Sequence, residues 1–167
     1  MVTPTAAATL DERQILAALG EVMDPEIPAV SVVDLGIVHR IETSPGAIRI
    51  EILPTFIGCP AIDAMRNAIQ ERLAGLARRV EVDVTFEVPW TSDRITSEGR
   101  RRLRGSGFGP PGPVGAVADI IPLLPATACP YCGSRRTVLE NAFGPTVCRS
   151  IYYCTNCRQP FEQFKSV

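Results

Sequence analysis

Pro54-Thr55-Phe56-Ile57-Gly58-Cys59-Pro60 is the stretch on which the reading of this chain turns. Before it, Ile48, Ile50 and Ile52 alternate with Arg49 and Glu51, the period of a half-buried strand. After it, Ile62, Met65, Ile69, Leu73 and Leu76 recur at helical spacing, with Asp63, Arg66, Gln70 and Glu71 left for the other face. A strand therefore gives way to a helix here, with a cysteine at the junction. Proline suits the first helical position because its missing N–H has no partner there anyway, so Pro60 predicts Cys59 as the N-cap. A thiol so placed meets unpaired backbone N–H groups and the positive end of the helix dipole, which favour thiolate, the form that ligates metal. The competing reading is a small buried hydrophobe.

Working upstream, Gly36–Glu42 reads as the strand preceding Ala47–Leu53, the two joined by the turn signal Thr43-Ser44-Pro45-Gly46. His39, the only histidine, lies on this hairpin without a histidine partner and reads as an ordinary strand residue. Thr9-Leu10-Asp11-Glu12 has the form of a capping box with Thr9 as N-cap, and Ile15, Leu16, Leu19, Val22 and Met23 form the apolar face of the helix it opens. Asp24-Pro25-Glu26-Ile27-Pro28 is a rigid acidic corner, where Asp24 and Glu26 read first as turn formers. Asp34 interrupts an apolar run, and a carboxylate there needs hydrogen-bonding partners or a chemical task.

Downstream, Val80, Val82, Val84, Phe86 and Val88 alternate with Glu81, Asp83, Thr85 and Glu87 in a third strand that stops at Pro89. Helix, hairpin, helix and strand predict a small two-layer α+β domain over residues 1–104. Trp90, the only tryptophan, reads as core packing, with cover for a site or a dock for a partner as the alternative. Ser97–Arg104 reads as a short helix carrying Arg100, Arg101, Arg102 and Arg104, either a solvated face or a dock for an acidic partner. Residues 105–128 are rich in glycine and proline and read as a linker, although Ile120, Ile121, Leu123 and Leu124 are apolar enough to pack on a domain.

Cys129-Pro130-Tyr131-Cys132-Gly133 and Cys154-Thr155-Asn156-Cys157-Arg158 form two pairs with the spacing of metal-binding knuckles. Cys129, Cys132, Cys154 and Cys157 thus suit a four-sulfur tetrahedral site, with the intervening segment as a hairpin. A domain of this size, 129–167, has too little core to fold alone, so the expected metal is a structural zinc that supplies stability. Iron on the same sulfurs is the alternative, because spacing does not separate the two metals. Cys148 is surplus to a four-ligand site and reads as packing, or as a functional thiol.

The totals narrow the function classes. A net charge of -1 and a pI near 5.9 leave no global basic field, which argues against nucleic acid as a partner. Met1–Ala8 lacks a charged segment followed by an apolar one, and no run approaches the roughly 20 apolar residues of a membrane span. The expected compartment is the cytoplasm, where six cysteines read as metal ligands or reactive thiols rather than as disulfides. Paired histidines, a phosphate-binding glycine loop and a nucleophile elbow are all absent from the sequence, so an independent hydrolase or transferase is not expected.

Asp24-Pro25-Glu26-Ile27-Pro28, Val33-Asp34-Leu35-Gly36-Ile37-Val38 and Thr55–Pro60 together resemble the metal–sulfur cluster assembly domain family, which includes the bacterial protein SufT and a eukaryotic cytosolic iron–sulfur targeting subunit. The cysteine pairs, with Phe143-Gly144-Pro145-Thr146-Val147-Cys148 and Gln159-Pro160-Phe161-Glu162-Gln163-Phe164-Lys165, resemble the PaaD family of aerobic phenylacetate breakdown. The resemblance implies a cluster assembly domain followed by a zinc ribbon, in an accessory subunit of the multicomponent phenylacetyl-CoA epoxidase (a monooxygenase). Its implied partners are the di-iron oxygenase and the flavin and iron–sulfur reductase. The implied task is assistance to iron or iron–sulfur centre maturation in a partner, with Cys59 as the reactive cysteine. One thiolate does not saturate a cluster. Transient binding of iron or a cluster would therefore draw on a second protomer, on carboxylates such as Asp34, or on a partner's ligands. Two other roles suit the same residues: a structural adaptor, and an electron-transfer subunit with iron on the C-terminal cysteines.

Overall fold

The structure is a computed structural model that describes residues 11–112 and 127–166. Its contacts divide the chain into two compact units, one made of residues up to Pro54 together with Pro60–Pro89, the other of Thr55–Cys59 together with Trp90 onward.

In the first unit, helix α1 spans Glu12–Leu19 and buries Ile15, Ala18 and Leu19. The expected cap Thr9 lies outside the described residues. Asp11 is the N-cap instead, and Gln14 closes the capping box by accepting the Asp11 N–H. Glu12 is thereby the first helical residue rather than the reciprocal acceptor.

Strand β1 (Val38–Ser44) runs antiparallel to β2 (Ala47–Ile52), and β2 lies parallel to β3 (Arg79–Val84) across the helix α2 (Ile62–Ala74). Ile48, Ile50 and Ile52 on β2 and Met65, Ile69 and Leu73 on α2 are buried, so the two apolar periodicities meet in one core. Met65 is core filling, 1% exposed. At about 2 kcal/mol for each large aliphatic side chain, this burial is what orders the layers.

Two expected boundaries move. Strand β3 stops at Val84 rather than Val88, level with the end of β2 at Ile52: Thr85 N–H still donates to Ile52 at 2.9 Å, while the N–H of the next residue, Leu53, is given to Ile37 on the β1 side at 2.8 Å. Phe86 is left 68% exposed. Helix α2 starts at Ile62, and its N-cap is Ala61 rather than Cys59, with no side-chain cap. Phe56-Ile57-Gly58-Cys59 forms a turn before it, in which Cys59 N–H donates to Phe56 at 3.1 Å and Gly58 takes a φ of 76°. A glycine with positive φ at the third position fits a type II turn.

The acidic corner is built from local bonds. Asp24 Oδ1 accepts the N–H groups of Glu26 at 2.7 Å and Ile27 at 2.9 Å. Ser31 and Asp34 cap one another, Asp34 Oδ2 accepting from Ser31 N–H at 2.9 Å and Ser31 Oγ from Asp34 N–H at 3.0 Å.

In the second unit, a 3-10 turn at Ser92–Arg94 precedes helix α3 (Ser97–Gly105), whose N-cap Thr96 accepts the Gly99 N–H at 2.9 Å. The arginine run on α3 is largely spoken for. Arg100 donates to the carbonyls of Ser92 and Pro111, while Arg101 and Arg102 bond to Glu98 and hold its carboxyl down at about 2. Strand β4 (Phe108–Gly109) falls inside the stretch read as a linker and pairs in parallel with β7 (Pro160–Phe164). Strands β5 (Thr137–Asn141), β6 (Arg149–Cys154) and β7 form an antiparallel ribbon, giving the sheet order β4-β7-β6-β5. Trp90 is core, 4% exposed, and packs against Phe164 with ring centroids 5.9 Å apart. The apolar group Ile120–Leu124 lies outside the described residues. Among the described residues no helix is long and apolar enough to cross a membrane.

Candidate metal centre

Each C-x-x-C pair lies on a turn closed in the same way. Gly133 N–H donates to Cys129 carbonyl at 2.9 Å, and Arg158 N–H donates to Cys154 carbonyl at 2.8 Å. The residue after each second cysteine takes a left-handed conformation, Gly133 at φ 70° and Arg158 at φ 60°. Cys129 N–H donates to Ser134 and Cys154 N–H to Gln159, so each turn is also clamped from outside. These turns swing both sulfurs of a pair to one side, and the β5–β6 hairpin brings the pairs together.

The ligand atoms of Cys129, Cys132, Cys154 and Cys157 all lie within 4.8 Å of one another. Cys129 Sγ is 3.6 Å from Cys157 Sγ, and Cys132 Sγ is 3.6 Å from Cys154 Sγ. Zinc–sulfur bonds of about 2.3 Å put the edges of a tetrahedron at roughly 3.8 Å, so the four sulfurs fit a four-coordinate metal with little movement. Cys129 and Cys154 are buried within a small core that also holds Tyr152 and Phe161, whose rings stack at 5.8 Å. The sulfurs that fit a metal and the hydrophobic core are thus the same structure.

Protons on the sulfurs are unevenly held. The backbone at Ser134 and the Asn156 side-chain amide pull the Cys132 thiol down to about 6. Burial first, then hydrogen bonds with the other three cysteines, pushes Cys157 up to about 12. Cys132 is exposed and so faces the solvent from which an ion arrives.

Cys148 stands outside the four. Its Sγ is 3.0 Å from Thr146 Oγ1, and its carbonyl accepts the Lys165 N–H. Cys59 is half-buried in the segment Thr55–Cys59 of the second unit, beside the 92% exposed Ile57, whereas Asp34 is 6% exposed in the first unit. The structure thus gathers the four C-terminal cysteines and leaves the other two expected site residues in separate units.

An α+β unit followed in the chain by a four-cysteine β-ribbon defines a protein with a compact metal-ready module. Residues 12–84 match the family model of the iron-sulfur cluster assembly protein, and residues 123–165 match that of the PaaD zinc beta ribbon domain. The chain belongs to the PaaD family: it is 36% identical over 92% of its length, and 92% of the relative's, to a putative 1,2-phenylacetyl-CoA epoxidase subunit of Escherichia coli. It is also 30% identical to an Fe-S protein maturation auxiliary factor of Porphyromonas gingivalis, over 55% of this chain and 90% of that one. An iron-sulfur cluster carrier protein of Mycobacterium tuberculosis is 35% identical over 54% of this chain and 23% of its own. A crystal structure of a domain of unknown function from Bacillus anthracis superposes with a TM-score of 0.51 at 28% identity, over 55% of this chain and 90% of that one.

Proposed function

We propose that this protein is an accessory subunit of a phenylacetyl-CoA epoxidase in aerobic phenylacetate degradation, where it assists the maturation of an iron or iron–sulfur centre in a partner subunit. The observation that carries this reading is the joining, in one chain, of matches to a cluster-assembly family and to a PaaD-type ribbon, matched almost end to end by the protein named a putative 1,2-phenylacetyl-CoA epoxidase subunit. The matches of the first domain to a maturation factor and to a cluster carrier point to the same task.

In this reading Cys129, Cys132, Cys154 and Cys157 hold a structural zinc ion, which draws the two knuckles together and stabilises residues 129–167 as a domain. The metal's role is that of a staple, since four protein sulfurs leave no open position for a reactant. The expected working domain, residues 1–104, leads through 105–128 into the ribbon, and Phe108–Gly109 of that connecting stretch already pairs with β7. Cys59, beside the exposed Ile57, is the thiol that meets iron or a cluster as cargo, and a partner protein or second protomer supplies the remaining ligands. Asp34 is the carboxylate candidate of the same task. Its local hydrogen bond to Ser31 gives it a capping duty as well. The partners are the oxygenase and reductase subunits.

The test is iron, zinc and acid-labile sulfide per chain in anaerobically purified protein, with epoxidase activity of the reconstituted complex measured alongside. Zinc lost with Cys154→Ala, and iron delivery and epoxidase activity lost with Cys59→Ala at unchanged zinc, supports the proposal. Full activity in Cys59→Ala would leave a structural adaptor, and iron in place of zinc on the four cysteines would leave an electron-transfer subunit.

A further inference from the structure

A second cluster of ligand-type side chains lies within the first unit. The ligand atoms of His39, Glu51 and Glu87 are all within 4.8 Å of one another. Three separate pieces of backbone deliver them. The β1–β2 register passes from Val38 opposite Ile52 to Arg40 opposite Glu51, so His39 and Arg40 both stand against the single residue Glu51. A bulge of this kind re-aims side chains at the edge of a sheet. Glu87 comes from the far side, on the chain that leaves β3, where Thr85 N–H still bonds Ile52 and Glu87 N–H donates to Thr85 Oγ1 at 3.3 Å.

The charges in the cluster do not balance. Arg40 is shared among Glu51 at 3.7 Å, Glu42 at 4.0 Å and Glu87 at 4.0 Å, distances beyond a hydrogen bond. Glu51 Oε2 is shielded from solvent and has no hydrogen-bond partner. A buried carboxylate oxygen in that condition costs free energy that a bound cation would recover. One imidazole and two carboxylates form a nitrogen–oxygen donor set that suits Zn²⁺, Fe²⁺, Mn²⁺ or Co²⁺, unlike the soft four-sulfur site. Metal–ligand bonds of about 2.0–2.2 Å bring donors to roughly 3.5 Å from one another, and the exposed Glu87 side chain has the rotamer freedom to adjust to that spacing.

We infer that His39, Glu51 and Glu87 form a second, exchangeable site for a divalent first-row metal ion, which competes with Arg40 for the two carboxylates. Three protein ligands leave coordination positions open to water, which makes the ion exchangeable where the four-cysteine ion is held fast. This site involves neither Cys59 nor the ribbon and stands whether or not the maturation role does.

The sole histidine makes the test direct, since its imidazole signals in proton NMR are unambiguous. Co²⁺ is titrated into the full chain with its zinc in place, followed by NMR and by calorimetry. The expected result is saturable paramagnetic shifting of the His39 signals at unchanged zinc content. Glu87→Gln should weaken Co²⁺ binding about tenfold or more. Arg40→Met should strengthen it about fivefold, by removing the competing cation. His39 signals that ignore Co²⁺, an affinity unchanged in Glu87→Gln, or an affinity unchanged or weakened in Arg40→Met would each overturn the assignment. Both varied side chains are at least half exposed or nearly so, 67% for Glu87 and 49% for Arg40, so loss of fold does not mask the outcome.

Discussion

Arg158 is the one non-glycine residue with positive φ among the described residues, and it stands where Gly133 stands in the matching knuckle. A left-handed backbone costs a side-chain-bearing residue about 1–2 kcal/mol, and glycine escapes that cost while giving up more freedom on folding. Arg158→Gly should therefore stabilise the metal-loaded ribbon by about 0.5 kcal/mol. Gly133→Ala should destabilise it by about 1 kcal/mol. An added Cβ at Gly133 meets nothing within 4 Å, so this cost is conformational rather than steric. Denaturant midpoints of the zinc-loaded variants check both signs. The thiols give a pH prediction. Cys132 in the folded, metal-free form is pulled to about 6, below the ordinary thiol range. Its thiolate thus favours the fold above about pH 8.5, and that contribution fades as pH falls through about 6. A rapid-mix alkylation pulse applied with the chelator, before the ribbon unfolds, followed by peptide mapping, should show Cys132 modified with a midpoint near 6, well ahead of Cys157, which burial pushes to about 12. A midpoint near the ordinary thiol value of about 8.5 at both positions at the shortest pulse would mean that the folded geometry does not set the two thiols apart.

At the scale of elements, the β2–α2–β3 arrangement rests on Ile50, fully buried at the centre of β2 and paired with both Ile41 and Val82. Ile50→Ala should cost about 2–5 kcal/mol and Ile50→Val about 1, read from thermal or denaturant unfolding. Equal effects of the two would mean that the cavity collapses. This part of the fold is legible in the sequence because periodicity reports burial directly: period two on β2, about 3.6 on α2. The C-x-x-C pairs are equally legible, since their spacing reflects a turn that closes within a few residues. What escapes depends on partners distant in the chain. A two-residue strand such as Phe108–Gly109 has no periodicity of its own and exists only because β7 offers an edge. Cys59 reads from the sequence as the cap of α2, but Gly58 closes a turn first and the helix begins later, at Ile62. His39 reads as an ordinary strand residue because its neighbours, Glu51 and Glu87, lie on other elements and the bulge beside it carries no local sign.

For the molecule as a whole, the division into two compact units separates the larger hydrophobic core from the four-cysteine cluster. The first unit buries Ile15, Leu19, Ile48, Ile50, Ile52, Met65, Ile69 and Leu73, a core that owes nothing to a metal. The ribbon's own core is Tyr152 and Phe161 packed with Cys129 and Cys154, so two of its four buried members belong to the four-cysteine cluster. Losing the metal there exposes thiols that repel as thiolates or, once protonated, no longer hold the knuckles together. Binding of structural zinc supplies about 10–16 kcal/mol in small domains at neutral pH, more than a core of two rings and two sulfurs contributes. Chelation of the full chain, or Cys154→Ala, should thus abolish amide-exchange protection across Thr137–Asn141 and Arg149–Cys154. Protection across Ala47–Ile52, Ile62–Ala74 and Arg79–Val84 should stay within a few-fold of the untreated protein. Hydrogen exchange read by mass spectrometry at peptide resolution distinguishes the two stretches in one experiment. Simultaneous loss in both would show that the units unfold as one cooperative body. Retained protection in the ribbon after complete metal removal would show that β4 and the Trp90–Phe164 contact hold the C-terminal sheet without a staple, and the structural role assigned to the four cysteines would then fall.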